Sequence, residues 1–182
     1  MDFKSGLSRR TLLGGGITVA ACLAAPVLAA GPRGPRPRFL ALNCAPTGEM
    51  AREVYWADGQ YIQSALDRFD WLLRDFRADE MRAIDPALLD TLHAINLKLG
   101  NTKALQVISG YRSPATNQML AHQRRGVARN SLHTLGMAID IRVPGYRGSA
   151  VRDAARGLRR GGVGYYPRAD FVHLDSGAVR HW

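Results

Sequence analysis

The spacing of apolar and polar positions changes several times along the chain, and each change predicts an element. "FLALNCAP" and "EMAREVYWADG" read as two short strands around the turn signal Pro46-Thr47-Gly48. From Tyr61 to Ala78 the pattern is helical, with Ile62, Ala65, Leu66, Phe69, Leu72, Leu73 and Phe76 recurring at spacings of three and four. "DPALLDTLHAINLKLG" predicts a second helix, capped by Asp85, with Pro86 in its first position and Gly100 at its end. "ALQVISGYRS" is a strand running into a turn, and "SPATNQMLAHQRRG" a third helix with Ser113 as cap. "MAIDIRVPG" alternates. Met137, Ile139, Ile141 and Val143 face one way, and Ala138, Asp140 and Arg142 the other. A basic fourth helix, "GSAVRDAARGLRRGG", precedes "VGYY", a turn at Pro167 and the strand "FVHLD". Strands and helices mix without regular βαβ alternation, which predicts an α+β fold. No internal repeat is present.

The first residues follow another logic. "SRRTLLGGGITVAACLAAPVLAAGPRG" has a basic start, an apolar run and small residues at its end, the layout of a secretory signal. The pair Arg9-Arg10 before Leu12 and Leu13 resembles a twin-arginine signal, so residues 1–30 are expected to direct export by the twin-arginine machinery. Gly14, Gly15, Gly16 and Pro26 break the apolar run and argue against a permanent transmembrane helix. Cleavage after Ala29 or Ala30 fits the small-residue rule. "VAAC" offers a second route, a lipoprotein anchored through Cys22, although the chain stays apolar as far as Ala30. "GPRGPRPR", residues 31–38, is a linker, and residues 39–182 form the expected domain.

The chain has 182 residues, 46% hydrophobic, enough for one core and too few for two comfortable ones. Its net charge is +10, of which Lys4, Arg9 and Arg10 against Asp2 account for +2. A basic surface attracts polyanions. The export signal selects the anionic cell envelope, so a periplasmic location is expected and nucleic acid is not an expected partner. With Cys22 removed, Cys44 is the only cysteine, which excludes an internal disulfide and any cysteine-rich metal site. Cys44 reads as a buried apolar side chain. Trp56 and Trp71 read as packing residues, and His93 as a structural helix residue.

Three residues carry candidate chemistry. Period two puts Phe171, His173 and Asp175 on one face of the last strand, with Val172 and Leu174 on the core side. His173 then shares a polar face with Asp140, and His133 stands seven residues before Asp140 in "SLHTLGMAID". Two His and one Asp form an N/N/O set suited to a catalytic zinc with water in an open fourth position. Spacing alone leaves a structural reading open: His133 in a turn hydrogen bond, Asp140 paired with Arg142 or another cation, and His173 satisfied within its strand.

"SGYRSPATNQML", "SLHTLGMAID" and "GGVGYYPRADFVHLDSGAVRHW" together resemble the zinc D-Ala-D-Ala peptidase and murein endopeptidase group, most of all its MepK-type periplasmic endopeptidases. The pattern S-x-H-x-x-G-x-A-x-D is met by Ser131, His133, Gly136, Ala138 and Asp140. The resemblance implies zinc ligands at His133, Asp140 and His173. It also implies the hedgehog-like fold, a small central antiparallel sheet flanked by helices. Many relatives place a glutamate three residues before the last histidine, or a histidine two before it, as general base. Here those positions hold Asp170 and Phe171.

Asp175 is the expected acid–base carboxylate, because alternation sets it on the face of His173, with Asp170 as runner-up and a positioning role for Asp175 as the other reading. Arg112, at a strand-to-helix turn, is the expected holder of an oxyanion or substrate carboxylate, unless it only pairs with a neighbouring acid. Tyr111 and Gln118 are candidate cleft residues, His181 and Trp182 a candidate rim, and His122 a surface residue. The function implied is a monomeric zinc endopeptidase that hydrolyses peptide cross-links of peptidoglycan. A carboxypeptidase removing terminal D-alanine and a non-catalytic zinc-bearing envelope module are the alternatives.

Overall fold

The computed structural model describes residues 36–123 and 126–182. The export segment expected at residues 1–30, Cys22 within it, and residues 31–35 of the linker lie outside the described residues. At the other end of the linker, Arg38 already opens a strand.

β1 (Arg38–Cys44) and β2 (Met50–Ala57) form the expected hairpin. Asp58 and Gly59 then take left-handed backbone, with φ of 51° and 85°, and fold Gln60–Tyr61 back on β2 as β3. Helix α1 therefore spans Gln63–Leu72 instead of Tyr61–Ala78. Its end also has a cause. The Tyr111 N–H donates to the Leu73 carbonyl at 2.8 Å, and Asp75 pairs with Glu80 across a tight bridge, so the chain beyond Leu73 bonds outside any helix.

Helix α2 (Pro86–Leu99) follows its signals: the Asp85 carboxylate accepts the Ala87 N–H at 2.9 Å, and Gly100 closes the helix at φ 65°. β4 (Leu105–Ser109), α3 (Pro114–Gln123), β5 (Ala138–Arg142), α4 (Gly148–Arg156) and β7 (Phe171–Asp175) fall within the segments read from the pattern, and β6 (Gly162–Tyr166) begins one residue before its own, at the glycine read as the end of the fourth helix. A 3-10 turn at Leu132–Leu135 and the two-residue β8 (Arg180–His181) escape it.

Among the described residues the strands make one eight-stranded sheet, in the order β3-β2-β1-β4-β5-β7-β6-β8. The α+β class holds, but the sheet is larger than expected and mixed. β1–β4 and β6–β8 are parallel pairs and the others antiparallel. Helix α2 packs on β1 and α4, and α4 on β6 and β7. Leu40 and Leu42 of β1, Ile139 and Ile141 of β5, and Val172 and Leu174 of β7 join the helices' Leu88, Leu92 and Ile95 in the core. Each such side chain is worth about 1.5–3 kcal/mol when fully buried. A one-residue slip of β5 or β7 would expel its apolar pair, so packing fixes the register. That register decides where Asp140 and His173 point.

Cys44 is buried in this core, and His93 is tied to the Phe39 carbonyl at 3.0 Å, both as expected. Trp71 is not a packing residue: it is 52% exposed, with Arg74 stacked 4.0 Å from its ring centre. Trp56 is half-buried against the core.

Candidate metal centre

Ser109 on β4 pairs with Asp140 on β5, Asp140 with His173 on β7, and His173 with Gly164 on β6. A row of four positions thus crosses four strands on the face away from Ile139, Ile141, Val172 and Leu174. His133 reaches the row from the 3-10 turn. Ser131 caps that turn, its hydroxyl accepting the His133 N–H at 3.4 Å, and Gly136 ends it at φ 71°. A Cβ on Gly136 would lie 2.2 Å from the Ala83 carbonyl oxygen, so the turn that aims His133 needs glycine here.

His133 Nε2, His173 Nδ1 and Asp140 Oδ1 converge, with separations of 3.2 Å between the nitrogens and 3.3 and 2.9 Å from each nitrogen to the oxygen. The far side of each ring is also engaged. His133 Nδ1 donates to the Gly110 carbonyl at 2.7 Å, and His173 Nε2 to Asp175 Oδ2 at 3.1 Å. These bonds set the tautomers and leave a bare lone pair on each facing nitrogen. Two lone pairs and a carboxylate oxygen, largely buried, therefore meet without a donor among them, which is unfavourable unless a cation or proton sits there. Ligand atoms about 2.0–2.1 Å from a tetrahedral metal stand about 3.3 Å apart. The spacing and the donor set fit a metal with three protein ligands.

Electrostatics follow the same geometry. Burial lowers the pKa of His133, outweighing Asp140. Burial would also lower that of His173, but its bonds to Asp140 and Asp175 win and raise it above the ordinary 6.5. Burial would raise the Asp140 carboxyl, yet His133, His173 and Arg112 hold it well below the usual carboxylate range. Arg112 Nη2 donates to Asp140 Oδ2 at 2.6 Å and Nε to Ser109 Oγ at 2.8 Å. One Asp140 oxygen thus faces the histidines while the other is held. Arg142 is not its partner; that guanidinium binds the carbonyls of Ala169 and Asp170 at 2.7 and 2.8 Å.

Asp175 lies on the face of His173, as alternation places it, and meets the ring rather than the three converging atoms. It is buried behind His173, on the ring nitrogen that faces away from Asp140. Its Oδ1 accepts the N–H groups of Gly162 and Gly177 at 3.1 and 2.9 Å, and Arg180 grips both oxygens at 3.0 and 2.7 Å. Burial alone would raise its pKa, but His173, Arg180 and the two backbone donors push it down to about 2. Gly162 leaves the room: a Cβ there would lie 2.3 Å from Asp175 Oδ2. Asp170 also points elsewhere. It is exposed in the β6–β7 turn at φ 49°, its carboxylate beside Gly148 at the start of α4.

The three converging residues line a cavity of about 730 Å³. Arg77, Arg112 and Arg180 line it too, and Tyr166, Phe171 and Trp182 form an aromatic wall. Trp182 stands 5.3 Å from the His173 ring and donates from Nε1 to the Tyr166 hydroxyl at 3.0 Å. Of the expected rim, Trp182 lines the cavity and His181 does not. Tyr111 is buried in the core rather than in the cleft. Gln118 and His122 line a neighbouring cavity of about 790 Å³ between α3 and the 3-10 turn. Asp75, Arg77 and Arg180 escape the sequence reading. Arg180 could have been found five residues after Asp175 across the "SG" turn, whereas the helical stripe concealed Asp75 and Arg77.

Residues 33–182 match the family model described as Peptidoglycan L,D-endopeptidase MepK. The chain belongs to this family. It is 43% identical over 180 residues to the protein of that name from Escherichia coli strain K12, covering 98% of this chain and 99% of that protein. The Shigella flexneri protein of the same name gives the same figures. A Haemophilus influenzae relative is 39% identical over 184 residues, covering 100% of this chain and 98% of its own. Membership in the MepK family agrees with the metal-ligand group assembled by β5, β7 and the 3-10 turn.

Proposed function

We propose that this chain is a zinc-dependent endopeptidase of the periplasm that hydrolyses L,D peptide cross-links of peptidoglycan. The observation that carries the reading is the convergence of three lone-pair donors at the floor of an arginine- and aromatic-lined cleft. Membership in the MepK family supports the substrate. A zinc ion held by His133, Asp140 and His173 would supply Lewis acidity, polarising an amide carbonyl and acidifying water near neutral pH.

The protein's own groups arrange the rest. Gly110 and Asp175 keep a proton on the far nitrogen of each ligand ring, so the facing nitrogens stay free. Arg112 steadies Asp140 and brings positive charge to the cleft, where a carbonyl oxygen gains negative charge during hydrolysis. Asp175 is on this reading a positioning residue. Asp140 is the only Asp or Glu side chain lining the cavity among the described residues. Asp170 retains only its place in the chain as support for an acid–base role.

Digestion of purified sacculi separates the three readings. The endopeptidase converts cross-linked dimers to monomers; free D-alanine would mark a carboxypeptidase, and binding without product a non-catalytic module. Export through the twin-arginine route is proposed from Arg9 and Arg10. Changing both to Lys should hold the precursor inside the cell, and unimpaired export of that variant would exclude the route. Mass spectrometry of the mature N-terminus decides between cleavage near Ala30 and acylation of Cys22.

A further inference from the structure

We propose that Arg77, together with Arg112, forms a carboxylate-binding subsite that seats the free carboxylate of a peptidoglycan stem peptide beside the metal centre. The identity of the ligand rests on the endopeptidase reading; the subsite itself rests on four observations. Arg77 and Arg112 line one cavity, with His133, Asp140 and His173 at its floor. The ion pairs nearby join Arg74 to Glu49 and Asp79, Arg112 to Asp140, and Arg180 to Asp175, and Arg77 belongs to none among the described residues. Its guanidinium lies over the Phe76 ring, 4.3 Å from the centre, which restricts its direction.

The fourth observation is the anchor. Asp75 is 1% exposed. Its Oδ1 accepts the Arg77 N–H at 3.1 Å, and its Oδ2 accepts the N–H of Ser113, the residue after Arg112, at 2.9 Å. One buried carboxylate therefore ties together the two loops that carry the arginines. Burial would raise its pKa, but bonds from Thr116, Ser113 and Arg77 hold it below the ordinary value, so the anchor stays ionised. Arg77 and Arg112 also repel each other, a minor influence on Arg112 beside its burial and Asp140. An anion between them relieves that repulsion.

The chemistry of the substrate supplies such an anion. A cross-link through the side-chain amine of a diamino acid leaves that residue's own carboxyl free and close to the scissile nitrogen. Guanidinium forks recognise carboxylates through paired charge-assisted hydrogen bonds, which an amide cannot replace.

The test uses zinc-loaded protein and muropeptide monomers that end at the diamino acid, and so carry neither a cross-link nor a terminal D-alanine, with the diamino-acid carboxyl either free or amidated. Calorimetry should show the parent protein binding the free acid about 10–100-fold more tightly than the amide. Arg77→Ala should erase that preference and Arg77→Lys retain part of it, with zinc content and melting temperature unchanged. On L,D-cross-linked dimers the loss in Arg77→Ala should fall mainly on KM. Equal binding of both monomers by the parent protein, or an undiminished preference in Arg77→Ala, would overturn the subsite. A parent protein that prefers the free acid through Arg77 yet cleaves no dimer would contradict the endopeptidase reading and leave the subsite standing.

Discussion

Asp175 illustrates what residue-level pattern does and does not carry. Alternation places Asp175 on the face of His173, and the structure agrees. Which ring nitrogen meets the carboxylate is decided by Gly162, Gly177 and Arg180, contributed by β6, the turn after β7 and β8. Nothing in the period of "FVHLD" encodes those partners. If Asp175 positions His173, Asp175→Asn should weaken zinc binding about 10–100-fold. Cleavage should then return when zinc is raised. Loss of cleavage at full zinc occupancy would instead assign Asp175 a direct part in proton transfer. The raised pKa of His173 gives a second expectation. In metal-free protein this ring takes up a proton at higher pH than an ordinary histidine. Zinc must displace that proton, so zinc affinity should fall as pH drops through and below the His173 range. Competition titrations at several pH values would show it, and a pH-independent affinity between pH 5 and 8, the range in which histidine charge changes, would contradict it.

Elements were legible where their ends carry chemistry of their own. Asp85, Pro86 and Gly100 bound α2 because cap and stop are local. The end of α1 is not local: it is set by Tyr111, reached only through β4, and by the bridge from Asp75 to Glu80. A continuous apolar stripe therefore overran it and hid Arg77. The 3-10 turn carrying His133 was equally hidden, since four residues show no period, although Ser131 and Gly136 mark its ends. Gly136→Ala tests that element. The left-handed backbone alone costs about 1–3 kcal/mol for a residue with a side chain. The approach to Ala83 adds to it. The variant should melt lower and bind zinc more weakly, because the turn must shift His133 to relieve the contact. An unchanged melting temperature and unchanged affinity would show that the turn does not depend on this glycine.

At the scale of the whole molecule, the α+β class and the shared face of Asp140 and His173 were readable because the packed side of β5 and β7 admits one register. The eight-stranded order was not, since the parallel pairing of β1 with β4 depends on how the intervening helices cross the sheet. Position and charge combine in the cleft, where three arginines line the same cavity as the His133, Asp140 and His173 ligand set. The measurement that tests this account most directly is the rate of cleavage of an L,D-cross-linked muropeptide dimer against zinc occupancy, from chelated protein upward. The rate should be near zero without metal, rise in proportion to bound zinc and level off at about one equivalent, the stoichiometry of a single three-ligand site. Cleavage that survives complete chelation, or a plateau that requires a second equivalent, would contradict it.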